Sequence, residues 1–164
     1  MGLSGIGGLA AALLLAAGCA ATGFLDLQPG RSTEADVRRA LGEPAMTLPA
    51  GEGGRQLVFP TGPLGTQTWM AFLASDGRLV RLEQALVEDN MRRVAPGITS
   101  DEVMRLIGPP YRRTDFPNLG QVAWDYRTQD AWGYYVEYSV MVDRRGIVAS
   151  TVSVRLDYGR GRSG

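Results

Sequence analysis

Histidine and lysine are both missing from this 164-residue chain, and cysteine occurs once, at position 19. Without histidine there is no Ser-His-Asp or Cys-His nucleophile system, and no metal site built on imidazole. Without lysine there is no amine for Schiff-base chemistry and no P-loop cation. One cysteine forms neither an internal disulfide nor a cysteine-rich zinc site. Net charge is absent as well: 17 arginines balance 17 acidic residues, and the sequence pI is about 6.3. A dedicated nucleic-acid binder normally carries a basic excess, so that class is set aside. Hydrophobic residues make up 45% of the chain, which argues against wholesale disorder and allows one compact domain or two small ones.

The apolar run at residues 6–17 has the length of a signal-peptide core and falls short of the roughly 20 residues that span a bilayer. Ala16, Ala17 and Gly18 stand directly before Cys19. This arrangement resembles the lipobox of bacterial lipoproteins, where the chain is cut before the cysteine and the thiol is acylated, as with palmitate. The resemblance implies a lipoprotein signal peptide at 1–18, a lipidated linker at 19–23 and a membrane-tethered mature chain. Buried acyl chains, at about 0.8 kcal/mol per methylene, would hold it there firmly. Ala20, not aspartate, follows the cysteine. By the sorting rule of enteric bacteria this implies the periplasmic face of the outer membrane. The other reading of the same segment is a short hydrophobic helix with Cys19 buried in it.

Past the linker the chain repeats itself. Phe24-Leu25-Asp26-Leu27-Gln28-Pro29-Gly30 aligns with Met91-Arg92-Arg93-Val94-Ala95-Pro96-Gly97. Thr33-Glu34-Ala35-Asp36-Val37, running on to Gly42-Glu43-Pro44, aligns with Thr99-Ser100-Asp101-Glu102-Val103, running on to Gly108-Pro109-Pro110. A repeat with matched punctuation comes before any other organisational reading. Pro-Gly makes a turn. Thr33 with Asp36, and Thr99 with Glu102, have the spacing of capping boxes. Val37, Ala40 and Leu41, like Val103, Leu106 and Ile107, give the i, i+3, i+4 stripe of a short amphipathic helix. Gly42 and Gly108 end those helices, and Pro44 and Pro110 keep them ended. Phe24 with Leu27, and Met91 with Val94, suggest another helical turn before each Pro-Gly.

After each helix the hydrophobic period falls to two. Val122, Trp124 and Tyr126 mark one strand of the second copy, and Tyr134, Val136, Tyr138, Val140 and Val142 the next. Val148, Val152, Val154 and Leu156 are expected along one face of a last strand, after the turn at 143–146. The first copy has a vaguer strand at 56–59, then strands at 69–74 and 79–86, with Gly- and Pro-rich loops at 48–54 and 60–65. The expectation is therefore an α+β fold of two tandem ααβββ repeats, 24–86 and 87–156, with antiparallel sheet packed on short helices. The two sheets either merge or share a helical layer. The Gly- and Arg-rich tail at 157–164 reads as flexible.

The lipobox-like Cys19, the Pro-Gly turn and capped helix, the Gly-x-Pro stop and the aromatic strands together resemble the SmpA/OmlA, or BamE-like, family of outer-membrane lipoproteins. The tandem arrangement also resembles the β-lactamase inhibitory protein-like fold. The resemblance spans residues 24–156. It implies a non-catalytic protein-interaction domain that supports outer-membrane protein assembly or envelope integrity. Its partners would be outer-membrane or periplasmic proteins, the β-barrel assembly machinery among them, with no cofactor, metal or nucleic acid. The alternative it implies is an inhibitor-like module that plugs a periplasmic hydrolase with a loop, at 48–54 or 116–120.

Sharper chemistry finds little support in the residues. The glycines at 2–8 have no strand before them and no lysine after them, so they are no phosphate loop. Asp125, Asp130 and Glu137 suggest a carboxylate pair of the kind glycosidases use, but nothing in the spacing fixes their separation. Trp124, Tyr126, Tyr134 and Tyr138 read as core aromatics, with Tyr135 on the polar face beside Glu137. Arg92-Arg93, Arg112-Arg113 and Arg144-Arg145 read as solvated turns, or as contacts to anionic headgroups. No catalytic residue is assigned, and Cys19 is the one functional position.

Overall fold

The computed structural model describes residue 23 and residues 26–156. The segment 1–18, Cys19 and the tail at 157–164 lie outside the described residues, as do Phe24 and Leu25. Helix α1 (Glu34–Leu41) leads into β1 (Met46–Pro49), β2 (Arg55–Pro60), β3 (Thr68–Leu73) and β4 (Leu79–Gln84). Helices α2 (Glu88–Arg93) and α3 (Ser100–Ile107) lead into β5 (Arg112–Phe116), β6 (Gln121–Gln129), β7 (Tyr135–Asp143) and β8 (Val148–Arg155). Each set of four strands forms its own antiparallel sheet, in chain order.

This overturns the expected ααβββ repeats. The chain is mostly β, each sheet has four strands, and the helices are few and short. No α-helix precedes Pro29 among the described residues. The unforeseen strands β1 and β5 are both sheet edges. β1 has four residues and ends at Pro49, while all five residues of β5 are exposed. β5 buries neither face and is held by its backbone ladder, so its side chains show no alternation. β1 turns only Met46 and Leu48 inward, too short a pattern to mark a strand. The expected loop at 48–54 accordingly starts inside β1 and continues as the 3-10 turn Gly51–Gly53. Arg112-Arg113 is strand, not turn.

The repeated punctuation does build repeated structure. Thr33 Oγ1 accepts the Asp36 N–H at 3.3 Å, and the Asp36 carboxylate accepts the Thr33 N–H at 2.9 Å. Thr99 and Glu102 do the same at 3.2 and 2.7 Å. These backbone bonds hold both carboxyls below their ordinary pKa. Each helix start is also tied to the last hairpin of its own copy. Glu34 N–H donates to Gly77 O at 3.0 Å, and Ser100 N–H to Gly146 O at 2.7 Å. Replacing Thr33 or Thr99 with alanine is expected to cost about 1 kcal/mol in urea unfolding. A change near zero at both sites would show that neither hydroxyl matters to its helix.

Sheet β1–β4 is covered on two sides. One side buries Val37 of α1 with Leu57, Phe59, Ala71, Leu73 and Leu79. The other gathers Val58, Met70 and Ala85, with Met46, Leu48 and Phe72 around them. The C-terminal turn of α3 sits on this second side. Gln56 Nε2 donates to Arg105 O at 2.9 Å, and an Arg105 guanidinium N–H donates to Pro49 O at 2.7 Å. The opposite side of α3 sends Val103 and Ile107 into the core of sheet β5–β8, among Trp124, Tyr126, Tyr138 and Val140. The layers therefore run α1, sheet, α3, sheet. Burying each large apolar side chain contributes about 1.5–3 kcal/mol, so α3 joins the two copies with the same contacts that fold them.

One correction concerns β8. The β7–β8 register shifts between Met141 and Val142, leaving Ala149 as the extra residue of a β-bulge. A single extra residue reverses which side chains face the core. Val148 pairs with Val142 and is buried, whereas Val152 and Val154 pair with Ser139 and Glu137 on the outer face. The four apolar residues expected on one face are split between two. Leu156 lies past the strand.

Candidate functional site

The bulge between Phe72 and Leu73 in the first sheet matches the one between Met141 and Val142, so the sheets can be aligned residue by residue. Val58 then corresponds to Asp125, Met70 to Ser139 and Ala85 to Val154. In the first sheet these positions receive α3. In the second, the equivalent face has no helix on it among the described residues, and polar side chains, Asp125 and Ser139, stand where Val58 and Met70 were.

Those side chains form one network. Arg112 on edge strand β5 lies opposite Asp125, and its Nε donates to Asp125 Oδ2 at 2.8 Å. Ser139 Oγ donates to Asp125 Oδ1 at 2.6 Å, so both oxygens of this carboxylate, only 3% exposed, are engaged. A second Arg112 nitrogen donates to Glu137 Oε1 at 3.1 Å, and the Tyr111 hydroxyl to Glu137 Oε2 at 2.5 Å. The bond to Asp125 holds Arg112 more firmly protonated, against a smaller opposing effect of burial. Burial, then the bond to Glu137, lifts the Tyr111 phenol above its usual range. Arg127 lies 5.0 Å over the Tyr111 ring, and its Nε is buried without a hydrogen-bond partner among the described residues. Around this polar centre stand Tyr135, Val152 and Val154, exposed by 40%, 49% and 53%. Tyrosine and arginine, side chains in which protein-docking surfaces are enriched, are gathered here around one buried carboxylate, with Arg112 half exposed.

Of the three carboxylates singled out in the sequence, the structure joins Asp125 and Glu137 through Arg112 and leaves Asp130 apart. Asp130 closes the β6–β7 turn, accepting the N–H groups of Trp132 and Tyr134 and pairing with Arg155 at 2.5 Å. Trp124, Tyr126 and Tyr138 are core, whereas Tyr134 and Tyr135 are exposed. Tyr111 and Arg112 went unseen as site residues, because their role depends on the pairing of β5 with β6. Among the described residues, no group of three or more His, Cys, Asp or Glu is placed to hold a metal ion. No helix among them is long and apolar enough to cross a membrane.

Two clefts lie beside the joint between the copies. One, about 190 Å³, is walled by Pro60, Pro63, Pro109, Tyr111, Tyr126 and Leu86. The other, about 540 Å³, opens between Leu86, Val87, Met91, Thr128, Val136 and Ser153.

No family model and no curated protein matches this chain. Among solved structures it is similar to a DUF4309 family protein, YjgB, from Bacillus subtilis subsp. subtilis strain 168. The two share 20% identity over 80% of this chain and 82% of that one, with a TM-score of 0.29. So loose a likeness carries no reading of fold or function.

Proposed function

We propose that this protein is a non-catalytic envelope lipoprotein whose outer sheet face docks another envelope protein. Acyl chains on Cys19 hold it on the periplasmic face of the outer membrane. The docked partner belongs to outer-membrane protein assembly or to the upkeep of envelope integrity, the β-barrel assembly machinery being one candidate. The observation that carries the reading is internal to the chain. The face of the first sheet centred on Val58 and Met70 receives a helix, and the matching face of the second sheet, centred on Asp125 and Ser139, carries none among the described residues. A polar centre suits a partner that arrives from outside, because it gives orientation and stays soluble until docking.

Two measurements test this. A photo-cross-linker at Thr114, which pairs with Ala123 on the outer face, is expected to capture an envelope protein, while one at Ala35 on α1 captures none. Cys19→Ser is expected to abolish fatty-acid labelling and move the chain from the membrane pellet to the soluble fraction. Equal capture from both faces would refute the docking face; a serine variant that still labels and sediments would refute the anchor.

An inhibitor-like role is the second reading. It is favoured by Leu119, 63% exposed at the tip of the β5–β6 hairpin, an apolar side chain free to enter a pocket. It predicts 1:1 binding to a periplasmic hydrolase that Leu119→Asp destroys.

A further inference from the structure

The two sheets have four edges, and three of them are guarded against further pairing. β1 is only four residues long and ends at Pro49, whose carbonyl oxygen accepts from Arg105. β4 carries Arg81 and Glu83, and β5 carries Arg112, Arg113 and Asp115. Short length, proline and charge are the usual devices that keep an edge from pairing with another chain. β8 has the least of them: it is eight residues long with no proline, its one charge is Arg155 at the end, paired with Asp130, and from Ala149 to Val154 it reads Ala-Ser-Thr-Val-Ser-Val. Among the described residues its strand partner is β7; on the other side only Val148 is engaged, accepting from Gly97 N–H and donating to Ile98 O, which leaves the stretch after Ala149 unpaired there.

We infer that β8 is a self-pairing edge, which joins two copies of this chain about a two-fold axis into one eight-stranded sheet. The backbone defines which groups are free to do so. Leu156 N–H donates to Tyr135 O at 2.8 Å, extending the β7–β8 register by one pair. Backbone groups of successive residues in an antiparallel pair point to alternate sides. Those of Val152 and Val154 therefore turn toward β7, and those of Thr151, Ser153 and Arg155 turn outward. An antiparallel partner centred on Ser153 sets Ser153 opposite its own counterpart and Thr151 opposite Arg155. In that register Val152 faces Val154 on the outer face, twice. Four half-exposed valines become two cross-strand pairs, and no arginine faces an arginine. Only a strand that is complementary to itself does this, and a two-fold contact requires such a strand. The occupant is accordingly a second copy, not an unrelated peptide.

The full-length chain in detergent micelles is the sample for the test. Sedimentation is expected to give a concentration-dependent dimer. Mild oxidation of Ser153→Cys is expected to give a cross-linked dimer as the main species, because residues facing each other in such a pair lie within disulfide reach. Thr151→Cys, displaced from the axis, should cross-link several-fold less, and the parent chain controls for Cys19. Val152→Lys with Val154→Lys places like charges across the seam and is expected to give monomer. Val152→Lys with Val154→Glu places opposite charges there and is expected to restore the dimer. A monomer at every concentration, a dimer indifferent to these charges, or equal cross-linking at 151 and 153 would each overturn the inference. If the double-lysine variant loses its circular dichroism signal, the comparison between 151 and 153 decides alone.

Discussion

Gly108→Ala is expected to destabilise the protein by about 1–3 kcal/mol more than Gly42→Ala, the same change at the same point of the repeat. Both glycines end a helix with nearly equal backbone angles, φ 83° and ψ −158° at Gly42, φ 81° and ψ −168° at Gly108. That region is essentially closed to residues with a Cβ, and entering it costs roughly 1–3 kcal/mol at either site. Surroundings make the difference. A Cβ at Gly42 meets nothing within 4 Å, whereas one at Gly108 lies 2.9 Å from Thr68 Cγ2 and 3.0 Å from Val58 Cγ1. Both neighbours are buried and β-branched, so they have little rotamer freedom with which to yield. The end of α3 must lift off the first sheet, straining the Gln56–Arg105 bond as it goes. Urea unfolding of the two variants with a common m-value measures the difference. Equal losses would mean that α3 is not pressed against Val58 and Thr68.

Above pH 10 the protein is expected to lose about 1.4 kcal/mol of stability per pH unit through Tyr126 alone. Burial raises the pKa of this phenol in the folded chain well above its ordinary value of 10.0. In the unfolded chain it ionises near that ordinary value, so past pH 10 the folded state binds more protons than the unfolded one. The stabilisation is full below pH 10 and declines as pH rises toward the folded value. Burial shifts Tyr138 in the same direction. Tyr126→Phe removes the first titration but also the 3.0 Å bond from its hydroxyl to Gly108 O. That variant should be weaker at neutral pH by about 1–3 kcal/mol, the cost of a buried carbonyl left unpaired. Its stability should also fall less steeply above pH 10. An unchanged slope would mean that Tyr126 already ionises normally in the folded protein.

What the sequence made legible is what short-range chemistry decides. Thr33, Asp36, Thr99 and Glu102 lie within one helical turn of the groups they bond, so spacing alone located both capping boxes. Strands β6 and β7 announced themselves by a period of two in their apolar residues, and β2 and β3 by short apolar runs, since their sheet is covered on both faces. β1 and β5 are missing from that reading because β5 has no buried face and β1 turns only two apolar residues, Met46 and Leu48, onto the sheet's core. The site suffered with them: Asp125 and Glu137 stood out as carboxylates, but Arg112 joins them only once β5 is paired. At β8 a one-residue bulge hid which valines face water. No local rule marks Ala149 as the residue that slips. The bulge is legible only as a match to Val80, once both hairpins are folded.

The position of α3 also imposes an order in time. By sequence it belongs to the second copy, yet it completes the first sheet. A chain leaving a ribosome or a translocation pore delivers β1–β4 before α3. Val58, Met70 and Ala85 stay wetted until Arg105–Gly108 has followed. During that interval the half-made chain presents one finished apolar face and one waiting face, the kind of surface to which a holdase binds. The first repeat is thus dependent on what is synthesised after it, and a stop or a cut near residue 86 strands it with its second side open.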